Sequence, residues 1–358
     1  MLVEDRIKAF SRLGEYFHAA VDEAYSKSYH IKLNDKIVNE LKTLITSAEN
    51  FNPWFVPQFM EFNFRTWAEL LTKENLENWI SKYDISSFYF RYDKNIAVIM
   101  AGNVPLVGFH DLLSVLMSSN NIIIKQSSKD FLIEKIVQIL CQIEPKFKEK
   151  IKFEDEIISN FDAIIATGSN NSKRYFDYYF SKYPSIIRSN RNSIAVLNGE
   201  ESEEDLEHLA DDIFLYFGLG CRNVSKIFVP QNYDITKLFP YFEKYKNLFS
   251  NHFKYLNNYD YFKSIFLVNR EKFFDNGFIM LKESEELSSP IPIVYFQYYN
   301  DVDVVKQIVN QNVNDIQVVV SNNIIENSIS FGSSQKPALD SYADNINTLE
   351  FLFSLKNL

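Results

Sequence analysis

The strongest constraint on this chain is an alternation of textures that begins near Asn95. Short apolar runs, Asn95 to Met100, Asn121 to Ile124 and Phe161 to Ala166, are each followed by a loop and then by a helical stretch. Two of those stretches run from Gly108 to Met117 and from Asp130 to Ile143, and a third follows Ser169. Runs without polar alternation leave no face for water, so they read as strands covered on both sides. Strands that alternate with helices in this way form a parallel sheet with helices on its faces. Ligands of such sheets bind at the carboxyl ends of the strands. Interest therefore falls on the residues that follow each run: Gly102 to Pro105, Lys125 to Ser128, and Thr167 to Ser169.

Up to about Tyr83 the apolar residues recur at three- and four-residue spacing, as in Ile37, Leu41, Leu44 and Ile45. That spacing predicts helices, punctuated by Pro53 and Pro57. Beyond the alternating region, Ser185 to Leu197 reads as a strand crossing into a second lobe. Ser202, with Asp205 three residues on, forms a capping box, so the acidic run Glu200 to Glu207 is helix-start chemistry rather than a metal site. The helix is expected to reach Phe217 and stop at Gly218 to Gly220, leaving Cys221 on a loop before a strand over Val224 to Val229. Further strands are expected at Ser264 to Val268, Ile291 to Phe296 and Ile316 to Val320.

A length of 358 residues suits two α/β lobes with parallel sheets, preceded by a helical region. The expected division is a helical N-terminus plus cofactor-binding domain over 1–196 and a catalytic domain over 197–328. A C-terminal segment over 329–358 would return to the cleft or to a subunit interface. A net charge of -10 disfavours phosphate backbones, which argues against nucleic acid as a partner. Two cysteines are too few for a disulfide framework, and the charged N-terminus has no apolar signal core, so a cytoplasmic location is expected. The most apolar stretch, Ile96 to Met117, is interrupted by Asn103, Pro105, His110 and Asp111, and is not expected to span a membrane.

The two cysteines sit in opposite surroundings. Cys141 lies mid-helix among Ile139, Leu140 and Ile143, as a core residue does; Cys221 lies in Gly218-Leu219-Gly220-Cys221, where small neighbours leave a thiol accessible. Arg222 beside it favours a thiolate, or else forms a structural salt bridge. A thiolate attacking a carbonyl generates an oxyanion that needs preorganised donors. Asn103, directly after the first strand, offers a side-chain amide for that purpose, the alternative being a cap on the following helix. Lys125 is placed for a ribose or phosphate, and Thr167-Gly168-Ser169 opens a helix whose N–H groups suit a pyrophosphate. His110 reads as packing at a helix start in preference to proton delivery, and His208 as solvent-facing. No G-x-G-x-x-G occurs in a chain with 9 glycines, so the usual dinucleotide fingerprint is absent.

Taken in order, these pieces resemble the aldehyde dehydrogenase superfamily: strand then asparagine-proline loop, strand then lysine, strand then Thr-Gly-Ser, a cysteine after Gly-x-Gly, and Phe-Gly near the C-terminus. Within it, Gly102 to Pro105, the segment Tyr216 to Pro230 and the tail Phe331 to Leu352 are most similar to acyl-CoA reductases related to the fatty acid reductase of bacterial bioluminescence. The resemblance implies Cys221 as the acyl-accepting nucleophile and Asn103 as its oxyanion donor. It implies that Lys125 contacts the adenosine ribose, that Gly168 and Ser169 meet the pyrophosphate, and that Glu286 meets the nicotinamide ribose. Three departures stand out. Lys173 replaces a glycine expected after Thr-Gly-Ser, and Ser288-Ser289 stands before Pro290 where Phe-Gly is usual. The glutamate that activates hydrolytic water in oxidising members is missing, its place taken by Arg188 to Arg191.

The implied reaction is reduction of an acyl thioester, acyl-CoA or another, to the aldehyde through an acyl-cysteine. The acyl group would come from a free thioester or from an acyl-donating partner protein. NADPH is the expected cofactor, with NADH the alternative, because neutral Ser128 stands where NAD-preferring relatives carry an acid. A homodimer or larger assembly is expected from the tail. The rival readings are an aldehyde-oxidising enzyme of the same fold and a catalytically silent relative that binds acyl groups or a protein partner.

Overall fold

The structure, a computed structural model, describes residues 1–22, 24, 32–84 and 93–355. They form two compact units, Met1–Ser189 with Ala338–Leu358, and Asn190–Pro337.

The first unit opens on the helices α1 (Val3–Val21), α2 (Asp35–Ser47), α3 (Pro57–Leu70) and α4 (Lys73–Ser81). The apolar spacing is what folds them together: Phe10, Leu13 and Phe17 of α1 are fully buried, and the Phe17 ring lies 4.8 Å from that of Phe64 in α3. Burying each such side chain stabilises by about 1.5–3 kcal/mol. The sheet follows as β1 (Asn95–Ile99), β2 (Asn121–Lys125), β3 (Ile151–Phe153), β4 (Ala163–Thr167) and β5 (Ser185–Arg188), in the order β3-β2-β1-β4-β5. Every pairing in it is parallel. The helices α5 (Phe109–Met117), α6 (Leu132–Ile143) and α7 (Asn170–Phe180) follow β1, β2 and β4. Ile96, Val98, Ile122, Ile124 and Ile165 are buried between the layers, as unalternated strands must be.

The second unit contains β6 (Asn192–Val196), α8 (Glu203–Phe214), β7 (Val224–Pro230), α9 (Phe239–Ser250) and α10 (Phe253–Asn269). It continues with β8 (Phe274–Asp275), β9 (Met280–Glu283), β10 (Ile293–Tyr299), α11 (Val302–Gln311) and β11 (Ile316–Val320). Its strand order is β11-β6-β7-β10-β9-β8, parallel except for the β8–β9 pair. The capping box at Ser202 and Asp205 is present at the start of α8.

Four expectations from sequence are corrected here. Ser185 to Leu197 is two strands in two different sheets, so the units divide at Ser189/Asn190 and not at 196/197. Ser264 to Val268 is the end of α10, not a strand, because the aromatic run upstream carries helical spacing through Tyr255, Tyr259 and Phe266. The helix before Cys221 ends at Phe214 rather than Phe217. The C-terminal segment is not one piece: it divides at Pro337/Ala338, and only the later part belongs to the first unit. There α12 (Thr348–Ser354) follows Tyr342, whose hydroxyl accepts from Trp79 Nε1 at 2.8 Å.

A buried ion pair anchors that tail. Arg188 Nη1 donates to both carboxylate oxygens of Asp111, at 2.9 and 2.7 Å, and Nη2 donates to Thr348 Oγ1 at 2.9 Å. No helix among the described residues is long and apolar enough to cross a membrane.

Candidate active site

In the first unit the register of the sheet gathers the residues singled out by sequence. Ile99 pairs with Lys125 on one side and with Ala166 on the other, so the loops after β1, β2 and β4 leave the same edge of the sheet. Asn103, Lys125, Ser128, Gly168 and Ser169 all sit on that edge. Gly102 is required there, since a Cβ would lie 2.7 Å from both Cβ and Oγ of Ser127. Asn103 is exposed on the bend after β1, and the N-cap position of α5 is held by Gly108. The loop is tied from behind by Asn63 Nδ2, which donates to Pro105 O at 3.0 Å.

Lys125 Nζ donates to the main-chain oxygens of Asp155 and Glu156 at 3.3 and 2.6 Å. Ser128 is exposed in the turn that follows. Asp130 closes that turn, accepting from Leu132 N at 2.8 Å at the start of α6. Burial pushes its carboxyl up to about 7, against the hydrogen bond from Leu132. Ser169 is exposed and caps α7 by accepting from Ser172 N at 3.2 Å. Gly168 is packed so closely that a Cβ would meet Ser172 Cβ at 2.8 Å. His110 is a packing residue, with its Nε2 at 2.8 Å from Leu339 O and its ring 5.7 Å from that of Trp79.

In the second unit the segment before Cys221 is unusual. Tyr216 (φ 55), Phe217 (φ 57) and Gly218 (φ 74) are successively left-handed. For bulky side chains this conformation costs about 1–3 kcal/mol each. The cost is offset by burial: Phe217 is 1% exposed, with its ring 4.8 Å from Phe249 and 4.3 Å from His252. Asn223 completes the arrangement. Its Nδ2 donates to the carbonyls of Asp212, Ile213 and Leu215 at the end of α8, while its Oδ1 accepts from Gly220 N at 2.8 Å. Ser193 Oγ donates to Cys221 O at 2.9 Å. Cys221 is thereby held exposed at the amino end of β7.

Arg222 adjoins it; burial lowers the guanidinium below its ordinary range while the charge of Cys221 raises it. Cys141, in contrast, is half-buried in α6, and burial raises its thiol.

Two further devices were not foreseen. Asp212 of α8 accepts from Gly332 N at 2.7 Å and Ser334 N at 3.0 Å, so the Phe-Gly segment is fastened to the helix that leads to the cysteine. Burial pushes this carboxyl up to about 6. Gly332 is left-handed (φ 78), where a side chain would be strained, and a Cβ there would press on His208 at 3.0 Å; His208 is half-buried rather than solvent-facing. The second device joins Cys221 to the Glu286 segment. Ser225 Oγ donates to Leu287 O at 2.8 Å and lies 3.4 Å from Ser193 O, so the strand after the cysteine loop is tied to the segment that carries exposed Glu286. The sequence carried a signal for this in the polar Ser225-Lys226 pair inside the apolar run Val224 to Val229.

Two sheets of this topology, one presenting glycine-cradled strand ends and the other an exposed cysteine before a strand, define a protein of the aldehyde dehydrogenase fold. Solved structures share it. An indole-3-acetaldehyde dehydrogenase from P. syringae, in complex with NAD+ and IAA, superposes with a TM-score of 0.62 at 11% identity, over 94% of this chain and 75% of that one. An acetylating aldehyde dehydrogenase from Geobacillus thermoglucosidasius gives 0.60 at 11% identity, over 98% and 90%. Aldehyde dehydrogenase 21 from Physcomitrella patens, in complex with the reaction product succinate, gives 0.60 at 12%, over 99% and 87%. A family model described as acyl-CoA reductase (LuxC) matches residues 13–238, and the chain belongs to that family. No curated protein matches it by sequence.

Proposed function

We propose that this chain reduces a fatty acyl thioester, acyl-CoA foremost, to the aldehyde through an acyl group carried on Cys221. The observation that carries the reading is the exposed Cys221 in a buried clamp, within a chain of the acyl-CoA reductase family. Cys221 Sγ attacks the carbonyl carbon, and the bond to the donor thiol breaks, that thiol leaving as thiolate and taking a proton from solvent. Arg222 attracts the attacking thiolate, and Asn103 donates to the oxyanion.

The first unit suits a nicotinamide dinucleotide, since the loops after β1, β2 and β4 leave one edge of a parallel sheet and the buried Oε1 of Gln126 on that edge has no hydrogen-bond partner among the described residues. Lys125, Ser128, Gly168 and Ser169 would hold its adenosine ribose and pyrophosphate, and Glu286 its nicotinamide ribose. When bound in reduced form it supplies the hydride that converts thioester to thiohemiacetal. Collapse of the thiohemiacetal returns the Cys221 thiolate and releases the aldehyde. The stretch Arg188 to Arg191 carries no carboxylate to activate water, and Arg188 is engaged with Asp111, which favours reduction over hydrolysis.

The test is to incubate the protein with a panel of acyl-CoAs and find the labelled peptide by mass spectrometry. Label is expected on Cys221 and not on Cys141, and the aldehyde should appear on adding NADPH. Label that persists in Cys221→Ala overturns the reading.

A further inference from the structure

Lys226 lies on β7 and is fully buried. Its Nζ donates to Ser284 O and Glu285 O, both at 2.9 Å, and to Gln297 Oε1 at 2.6 Å. The ammonium thus has an acceptor for each of its three hydrogens, and none of them is a carboxylate. Desolvating such a cation costs several kcal/mol, so an apolar residue would make a cheaper core. Two of the three bonds go to one place, the main chain that joins β9 to β10, and the third to the Gln297 side chain on β10. The same segment is fastened again at Ser225, which donates to Leu287 O and accepts from Ser289 Oγ at 2.9 Å. Between the two fastenings stands Glu286, exposed, with its N–H donated to Ser284 Oγ at 3.2 Å.

We propose that Lys226 is a positioning residue for the reductive half-reaction: its ammonium fixes the Ser284–Glu286 backbone so that the Glu286 carboxylate meets the nicotinamide ribose. This rests on the function proposed above, in which Glu286 binds that ribose. Acylation of Cys221 does not require it.

The charge state of the lysine gives the proposal a signature. Burial pulls the ammonium down to about 8, while Glu285 and Glu286 on the bridging segment pull the other way. From β10 it faces Gln297 and pairs in register with Tyr295; from β6 it faces Ile194, and its own strand places the Phe228 ring 4.8 Å away. Below that pH the amine donates three hydrogen bonds. Above it one hydrogen is lost and a lone pair faces a carbonyl oxygen. Cofactor affinity is therefore expected to weaken as pH rises through about 8.

The experiment uses the full chain as wild type, Lys226→Met, Lys226→Arg and Glu286→Gln, the last at an exposed position that leaves folding untouched. Binding of NADPH and NADH is followed by nicotinamide fluorescence, and acylation by the burst of coenzyme A released without cofactor. Lys226→Met and Glu286→Gln should each weaken binding about tenfold, with the acylation burst of Lys226→Met within about twofold of wild type. The double variant should be no worse than either single. Lys226→Arg, which keeps its charge, should retain binding and lose the dependence on pH. Unchanged binding in Lys226→Met, or equal losses in binding and acylation with a lowered Tm in both lysine variants, overturns the proposal. If the wild type binds neither cofactor, the functional reading falls and takes this one with it. If it binds and is acylated while Lys226→Met behaves identically, this one falls alone.

Discussion

The strand-end edge of the first unit and the cysteine loop of the second solve the same problem, holding a polar group at the surface, by opposite means. At the edge, permissive residues do it: Gly102 and Gly168 make room for the side chains of Ser127 and Ser172, and Asn103, Ser128 and Ser169 stand exposed. Around Cys221 the chain is forced into left-handed conformations and secured from inside by Asn223, Ser193 and buried Phe217. The difference implies that chemistry and stability are separable in the first region and coupled in the second.

Asn103→Ala is the sharpest probe of separability. Acylation of Cys221 should slow about a hundredfold, the usual loss for an oxyanion donor, with Tm unchanged. A lowered Tm with an unchanged burst of coenzyme A would instead make Asn103 a structural residue and remove the contrast. Asn223→Ala is its counterpart. It leaves the carbonyls of Asp212, Ile213 and Leu215 without their buried donor, so stability should fall by about 1–3 kcal/mol in urea unfolding and acylation should slow with it. A fall in rate alone would show that the loop can be reshaped without loosening the fold.

Asp130 is the exception that tests the rule, being a buried group on the permissive edge. Its folded-state carboxyl is raised to about 7, so the native state holds the proton more tightly than the unfolded chain does. Stability contributed by the protonated acid is therefore lost as pH rises from about 4 to about 7. Asp130→Asn should gain on the order of 2 kcal/mol over wild type at alkaline pH and little near pH 4, as read from urea unfolding across that range. A gain independent of pH would count against the titration. The smallest effect is expected at Ser128, where Glu should shift the kcat/KM ratio of NADPH to NADH toward NADH by about tenfold, through repulsion of the extra phosphate and acceptance from the ribose. An unchanged ratio would show that this turn does not read the ribose.

The alternating region was legible because periodicity and burial coincide: runs such as Asn121 to Ile124 have no polar face to misplace, and their ends fall within a residue or two of the observed strands. The end of α10 looks like a strand in sequence because its apolar residues lie all round the helix, Leu267 and Val268 being exposed, which blurs helical spacing into a strand-like run. The position of Cys221 on a loop was legible from its glycines. What holds it there was not, because Asn223, Ser193 and Asp212 act through main-chain partners, those of Ser193 and Asp212 distant in sequence, and a hydrogen bond to the main chain leaves no mark on composition. Lys226 did leave one, a charge inside an apolar strand, with no indication in sequence of the carbonyls it meets.

The fastening of the tail has a consequence for the order in which the molecule is made. Leu339, Tyr342, Leu349, Leu352 and Phe353 belong to the same core as Phe10 and Phe17, and the Arg188–Asp111 pair finds its third partner only in Thr348. As the chain emerges from the ribosome, the unit begun first must wait for its last wall, whereas Asn190–Pro337 is contiguous and has all its strands in hand earlier. Vectorial synthesis thus leaves the core that holds Phe10 and Phe17 without the side chains of Leu339 to Phe353 until nearly the whole chain has been made.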